Sequence, residues 1–276
     1  MIFVYGDESM DETLQRTCAV AAVVGTQDQW NATASKWTAR NAGVPFHAKD
    51  CESDRGIYRN RSHSENKALY KDSVVLIAES ELYGYAAVID LIGMRKVYPS
   101  SELPNRMYFR GLLEVWDAMS AFALHAEEIA ELTFDSRPTS DHNAALMYAH
   151  LRENTPRWRE RLAPRIAFDS GPCVQLEIAD LFAHEAMKHL DNKIGPKKRL
   201  TRASWTALHG TSRFKLRVFG EADFRDLHLE LNDGKSHYKA LLMGYPQWLK
   251  KKRRQDNLTN LFEFLNSRSE DNSNPA

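Results

Sequence analysis

MIFVYGDESM (residues 1–10) sets an apolar run, Met1 to Tyr5, directly against Gly6, Asp7, Glu8 and Ser9. β-branched and aromatic residues that stop at a glycine read as a buried strand over residues 1–8. Ending such a strand on two adjacent carboxylates needs a physical reason. An ionised acid at an apolar boundary is costly unless a cation or several hydrogen-bond donors meet it.

Working outward, TCAVAAVVG (17–25) is a second strand, close enough to the first for a hairpin. Residues 27–41 read as a helix with Trp30 and Trp37 on one face, and GVPFHAKDCESDRG (43–56) as a polar loop. Residues 64–80 read as a helix starting at Ser64, and ELYGYAAVIDLIG (81–93) as a third strand. A long helix over 104–126, with Pro104 in its first turn, precedes IAELTFDSR, a short strand ending at Asp135. A helix over 141–153 capped by Asp141, a fifth strand over 164–171 and a strong helix over 174–192 complete the pattern. Three closely joined strands followed by alternating helices and strands predict an α/β fold. Its mixed five-stranded sheet is antiparallel first and parallel later, with helices on both faces.

Residues 1–192 are read as the core and 193–265 as a basic, mainly helical C-terminal extension. Within the extension, 213–230 suggest a further strand and helix, and 245–265 a helix with a basic first half. Residues 266–276 read as a polar, disordered tail. The net charge is zero, but Lys193 to Arg254 carries 16 Lys/Arg against 5 Asp/Glu. An acidic body with a basic flank suits a polyanion such as nucleic acid. The three cysteines, Cys18, Cys51 and Cys173, form no CxxC pair, which argues against a disulfide framework or a cysteine-based zinc site. With no apolar run near the roughly 20 residues of a membrane span and no signal-peptide pattern, a cytoplasmic protein with no membrane partner is expected.

Acids stand at apolar boundaries in three places: Asp7–Glu8, Asp135, and Asp180 inside the 174–192 helix beside Leu176, Ala183 and Met187. Each alone is readily a turn residue, a cap or a satisfied structural acid. Together they suggest more, because parallel first and fourth strands would put Asp7 and Asp135 on one sheet edge, where α/β folds bind ligands. Converged carboxylates call for a hard cation, Mg²⁺ or Mn²⁺, and two such ions can carry phosphodiester hydrolysis. Asp7 and Glu8 are neighbours, so a regular strand points them to opposite faces; a local bend at Gly6 and Ser9 is one way to bring both to the site.

The order of strands and acids resembles the ribonuclease H-like fold. YGDES, FHAKD, TFDSR and the S-x₄-Q-L-x-x-A-D-L-x-A pattern of Ser170–Ala183 resemble the "domain of unknown function 3800" family, over roughly residues 1–192. The resemblance implies a metal-dependent nuclease with Asp7, Asp135 and Asp180 as metal ligands and Glu8 as a fourth acid. The ribonuclease H pattern also has a glutamate on the helix after the third strand. Glu114 occupies that helix here and reads more readily as a solvated position. DESM replaces the commoner DESG opening. His47 could orient a nucleophilic water or touch a phosphate and Lys49 could pair with one; the alternative is that both belong to an ordinary polar loop. Lys197, Lys198 and Arg199, with Trp205, Tyr238, Tyr245 and Trp248 interleaved, would hold the strand. His184, one turn after Asp180, reads either as a support or proton shuttle for the site or, more readily, as a helix-surface histidine, and Asp169 reads as a turn cap. Two alternatives stay open: a non-catalytic nucleic-acid- or protein-binding module, and a hydrolase of small phosphoesters or nucleotides.

Overall fold

The computed structural model describes residues 1–13, 15–98 and 103–232, without the side chains of 103–106 and 227–232. The expected 245–265 helix, Tyr238, Tyr245, Trp248 and the 266–276 tail lie outside the described residues. Met1–Asp226 forms one compact unit, and a second begins at Leu227.

β1 (Ile2–Met10) and β2 (Thr17–Gly25) form the expected antiparallel hairpin. Its connection is held by the buried Asp11, whose carboxylate accepts from the N–H groups of Gln15, Arg16 and Thr17 at 3.1, 2.8 and 2.9 Å. α1 (Gln27–Asn41), α2 (Ala48–Glu52) and α3 (His63–Glu79) lead to β3 (Tyr83–Asp90), antiparallel to β2. α4 (Leu91–Val97) and α5 (Leu103–His125) precede β4 (Ala130–Asp135), which runs parallel to β1. α6 (Asp141–Asn154) and α7 (Pro156–Arg161) lead to β5 (Leu162–Asp169), parallel to β4. α8 (Val174–Ile194), α9 (Ala203–Gly210), β6 (Phe214–Phe219) and α10 (Glu221–Asn232) complete the described chain.

The fold is α/β, and its mixed sheet has six strands, in the order β5-β4-β1-β2-β3-β6, where five were expected. The sixth, β6, pairs parallel with β3 and comes from the stretch read as extension. The 213–230 stretch reads as holding a further strand and helix, but not as part of the sheet, because only the strand's ends, Phe214 and Phe219, are buried and Lys215 and Arg217 between them give it a surface character.

The two faces of the sheet are covered by different helices. Phe3 and Tyr5 of β1, Ala19, Ala21 and Val23 of β2, and Ala86 and Val88 of β3 pack with α1, α3 and α8. α8 crosses β1, β2 and β3 and is buried along nearly its whole length, which is why its sequence is apolar beyond a single stripe. α5 covers the other face; Gly111 sits so close to Val20 that a Cβ there would lie 2.5 Å from a valine methyl. The same crowding fixes Gly6, where a Cβ would lie 2.3 Å from the Phe134 ring. The β1–β4 register therefore depends on a residue without a side chain at that point.

Local signals shifted some boundaries. α3 begins at Ser62 rather than Ser64: Ser62 and Glu65 form a reciprocal capping box. Asp141 does not cap α6; its carboxylate accepts from the Ser136 hydroxyl at 2.7 Å and the Arg137 N–H at 2.8 Å, closing the turn after β4. The 43–56 stretch is not a plain loop but contains α2 and ends where a 3-10 turn over Gly56–Asn60 begins.

Candidate functional site

β1 and β4 are parallel neighbours whose last paired residues are Gly6 and Phe134. Asp7 and Asp135 therefore leave the ladder together, at the carboxyl ends of both strands. β1 runs on past that point, paired only with β2 through Met10. No bend brings Asp7 and Glu8 together, since the strand stays regular. Asp7 continues the Phe3–Tyr5 face toward α8, and Glu8 continues the opposite face toward α5. Both still line one cavity, of about 690 Å³, because β4 ends at Asp135 and leaves the edge beside them open.

Asp135, Asp180, His47 and Lys49 line the same cavity. Asp180 is 9% exposed, and its Oδ2 accepts from the Ala48 N–H at 2.7 Å. α2 thus fixes one carboxylate oxygen of α8. Asp7 Oδ1 is similarly held by the Glu8 N–H at 2.6 Å.

The electrostatics are those of acids crowded together. Burial raises the Asp7 carboxyl well above its ordinary value, and Asp180, Glu8 and Asp135 add to the rise. Burial also raises Asp180, against the pull of His47 and the Ala48 N–H. Asp135 is raised by burial and by Asp180. Glu8 is pushed up to about 7 by burial, with Asp135 adding and Arg137 opposing. The Arg137 guanidinium lies 3.7 Å from Glu8 and stacks over Tyr108.

No family model matches the chain, and no curated protein matches it.

Fit to a divalent ion rests on this donor set. The donors are hard oxygens, they share one cavity, and they repel one another, all of which a bound Mg²⁺ or Mn²⁺ would suit. As placed, no group of three or more His, Cys, Asp or Glu side chains among the described residues closes into a ligand shell. The type and charge of the donors fit such an ion.

The basic residues divide. Lys49 also lines a second cavity of about 350 Å³, which shares Met10, Asp11 and Glu12 with the first. Lys197, Arg199 and Lys188 line that adjoining cavity, together with Arg16 and the acids Asp11, Glu12, Glu52 and Asp191. Lys198 is exposed and lines neither of the two. Trp205 is buried and stacked on Phe182 at 6.3 Å, so it is closed to a nucleic-acid base.

Other expectations are corrected as well. His184 is not a surface histidine: it is 1% exposed, with Nε2 at 2.8 Å from Glu52 and Nδ1 at 3.5 Å from the Ser9 hydroxyl. Burial alone would raise the Glu52 carboxyl, but His184, Arg202 and Lys188 hold it well below the usual range. Glu114 is not a solvated position either. Its side chain is mostly buried between Arg110 and Arg217 and does not line the acidic cavity, whereas Glu8 does. Asp169 does cap a turn, accepting from the Gly171 N–H at 2.9 Å.

Two further charged residues of the cavity, Glu177 and Arg137, take no role from the sequence reading. Glu177 lies three residues before Asp180 on the same face of α8 and accepts from the Trp37 indole N–H at 2.7 Å. The i, i+3 spacing from Asp180 is a signal that could have found it. Arg137 follows Asp135 by two residues, but nothing local distinguishes it from any surface arginine. Among the described residues no helix is long and apolar enough to cross a membrane.

Proposed function

We propose that this chain is a Mg²⁺- or Mn²⁺-dependent phosphodiesterase acting on nucleic acid. One observation carries the reading: acids from β1, β4 and α8, far apart in sequence, line a single cavity where burial and their neighbours' charge raise their pKa values, despite Arg137 beside Glu8 and His47 near Asp180. Such a cluster is stable as carboxylates only with a cation among them. The antiparallel-then-parallel strand arrangement and the strand-end acids support a ribonuclease H-like core carrying β6 as an addition.

Asp7, Asp180, Asp135 and Glu8 would hold the metal. When bound, it supplies a more acidic water and positive charge for the phosphate oxygens. The chain's own residues do the rest. The Ala48 and Glu8 N–H groups hold one oxygen each of Asp180 and Asp7, leaving the others for the ion. His47, exposed at the cavity lip and 3.2 Å from Asp50, is oriented to move a proton. In the reaction water adds to phosphorus, the bond from phosphorus to the leaving oxygen breaks, and that oxygen departs with a proton. Lys49, with Lys197 and Arg199 in the adjoining cavity, would pair with phosphates on one side of the cut.

The test is cleavage of end-labelled DNA and RNA oligonucleotides with Mn²⁺ or EDTA, beside bis-p-nitrophenyl phosphate as a small substrate. Metal-dependent cleavage that falls to background in folded Asp7→Asn and Asp180→Asn proteins is expected; cleavage surviving both changes refutes the reading. Turnover of the small substrate alone would make the chain a small-phosphoester hydrolase. A second reading, a non-catalytic nucleic-acid module, draws on the open arrangement of the acids. It predicts oligonucleotide binding that is indifferent to metal.

A further inference from the structure

Away from the acids, α3 and α9 enclose another hollow, of about 610 Å³, within the range of small-molecule pockets. Lys67, Tyr70, Lys71 and Val74 line its α3 side, at the spacing that puts them on one helix face. Ser204 and Ala207 of α9 stand opposite, too short to fill the gap. Glu52 and Arg202 form its charged end.

Most charges around this hollow are matched. Glu52 is met by His184 at 2.8 Å and Lys188 at 3.6 Å, and also by Arg202. Arg202 also holds the fully buried Glu185 at 2.9 Å, and His63 is paired with Asp54 at 2.8 Å. The two lysines are the exception: among the described residues neither Lys67 nor Lys71 has an acidic partner. Like charges one helical turn apart destabilise a helix, and an anion between them would turn that repulsion into attraction.

We propose that this hollow binds a small organic anion, with an apolar or aromatic body against Tyr70, Val74 and Ala207 and a phosphate or carboxylate between Lys67 and Lys71. None of the acids of the metal-binding proposal takes part, so the two stand or fall separately.

The test is calorimetric titration of the full chain in EDTA with adenosine 5′-monophosphate, decanoate and inorganic phosphate as probes. Saturable binding of the nucleotide or of decanoate is expected, and which of the two binds tells an aromatic phosphate from an alkyl carboxylate. The affinity should fall about tenfold or more in the Lys67→Glu/Lys71→Glu protein and vanish in Ala207→Trp, while Asp180→Asn leaves it unchanged. Lys67, Lys71 and Ala207 are exposed, so these variants keep the wild-type circular dichroism. The proposal is overturned if neither organic probe binds, if inorganic phosphate binds as tightly as the nucleotide, or if the charge reversal has no effect. It is also overturned if affinity is lost in Asp180→Asn. Dimerisation in sedimentation that Ala207→Trp abolishes would give the hollow to a second copy of the chain and overturn it too.

Discussion

Replacing Glu8 with glutamine removes a carboxyl that burial, with Asp135 beside it, pushes from an ordinary 4.5 to about 7 despite the pull of Arg137. Below pH 4.5 the group is protonated in both folded and unfolded chains and contributes nothing to the pH dependence. Between 4.5 and 7 the unfolded chain releases a proton that the folded chain keeps, so stability falls as the pH rises. Above 7 the loss is complete, and a rise of this size corresponds to about 3 kcal/mol. Glutamine keeps the shape and cannot ionise. Glu8→Gln in EDTA should therefore match the wild type near pH 4.5 and be more stable by about 3 kcal/mol at pH 8. Urea unfolding at the two pH values measures this, provided the slopes agree between the proteins. Added Mn²⁺ should reverse the order at pH 8, because binding to the native state stabilises the protein that binds better. Equal stability of the two proteins at pH 8, or a glutamine variant that is weaker there, would refute the picture of Glu8 as a buried acid awaiting a cation.

Gly6→Ala should destabilise the protein by about 1–3 kcal/mol through overpacking against the buried Phe134 ring, and Phe134→Leu in the same chain should recover part of the loss; urea unfolding checks both. Arg202→Leu strands Glu185, which is 0% exposed, and should cost about 3–5 kcal/mol. Adding Glu185→Gln should recover much of that, and thermal unfolding of the single and double variants would expose a failure to do so. Burial pushes His189, packed on Trp205 at 5.0 Å, down to about 4. Its imidazole should stay neutral in an NMR titration from pH 8 to 5, and the stability it provides at neutral pH should drain away as the pH falls from about 6.5 toward 4.

How much of this was legible in the chain follows from which interactions are local. Strand and helix periods are local, so β1 to β5 and the long helices stand within a few residues of where apolar spacing places them. The hairpin follows from the short link between two β-branched runs. β6 was only faintly visible, because a short edge strand with Lys215 and Arg217 between its buried ends lacks a strong apolar signal. The acids Asp7, Asp135 and Asp180 announce themselves as carboxylates at apolar boundaries, whatever surrounds them in space.

What surrounds them was decided only by tertiary structure. The parallel pairing of β1 with β4 brings Asp7 and Asp135 to one edge, and the packing of α8 across β1 brings Asp180 to meet them. Side-chain periodicity puts Glu8 on the opposite face from Asp7, and it reaches the same cavity because β4 stops short. Glu114 and His184 were misread for a related reason. Helical spacing tells which face a residue occupies, but not that Arg217 from β6 or Glu52 from α2 will be waiting there. Burial and pairing depend on contacts between segments more than a hundred residues apart. The sequence by itself determined the strands, the helices and the acids at their ends. Which acids share a cavity, and which charges stay unmatched, were settled by long-range packing.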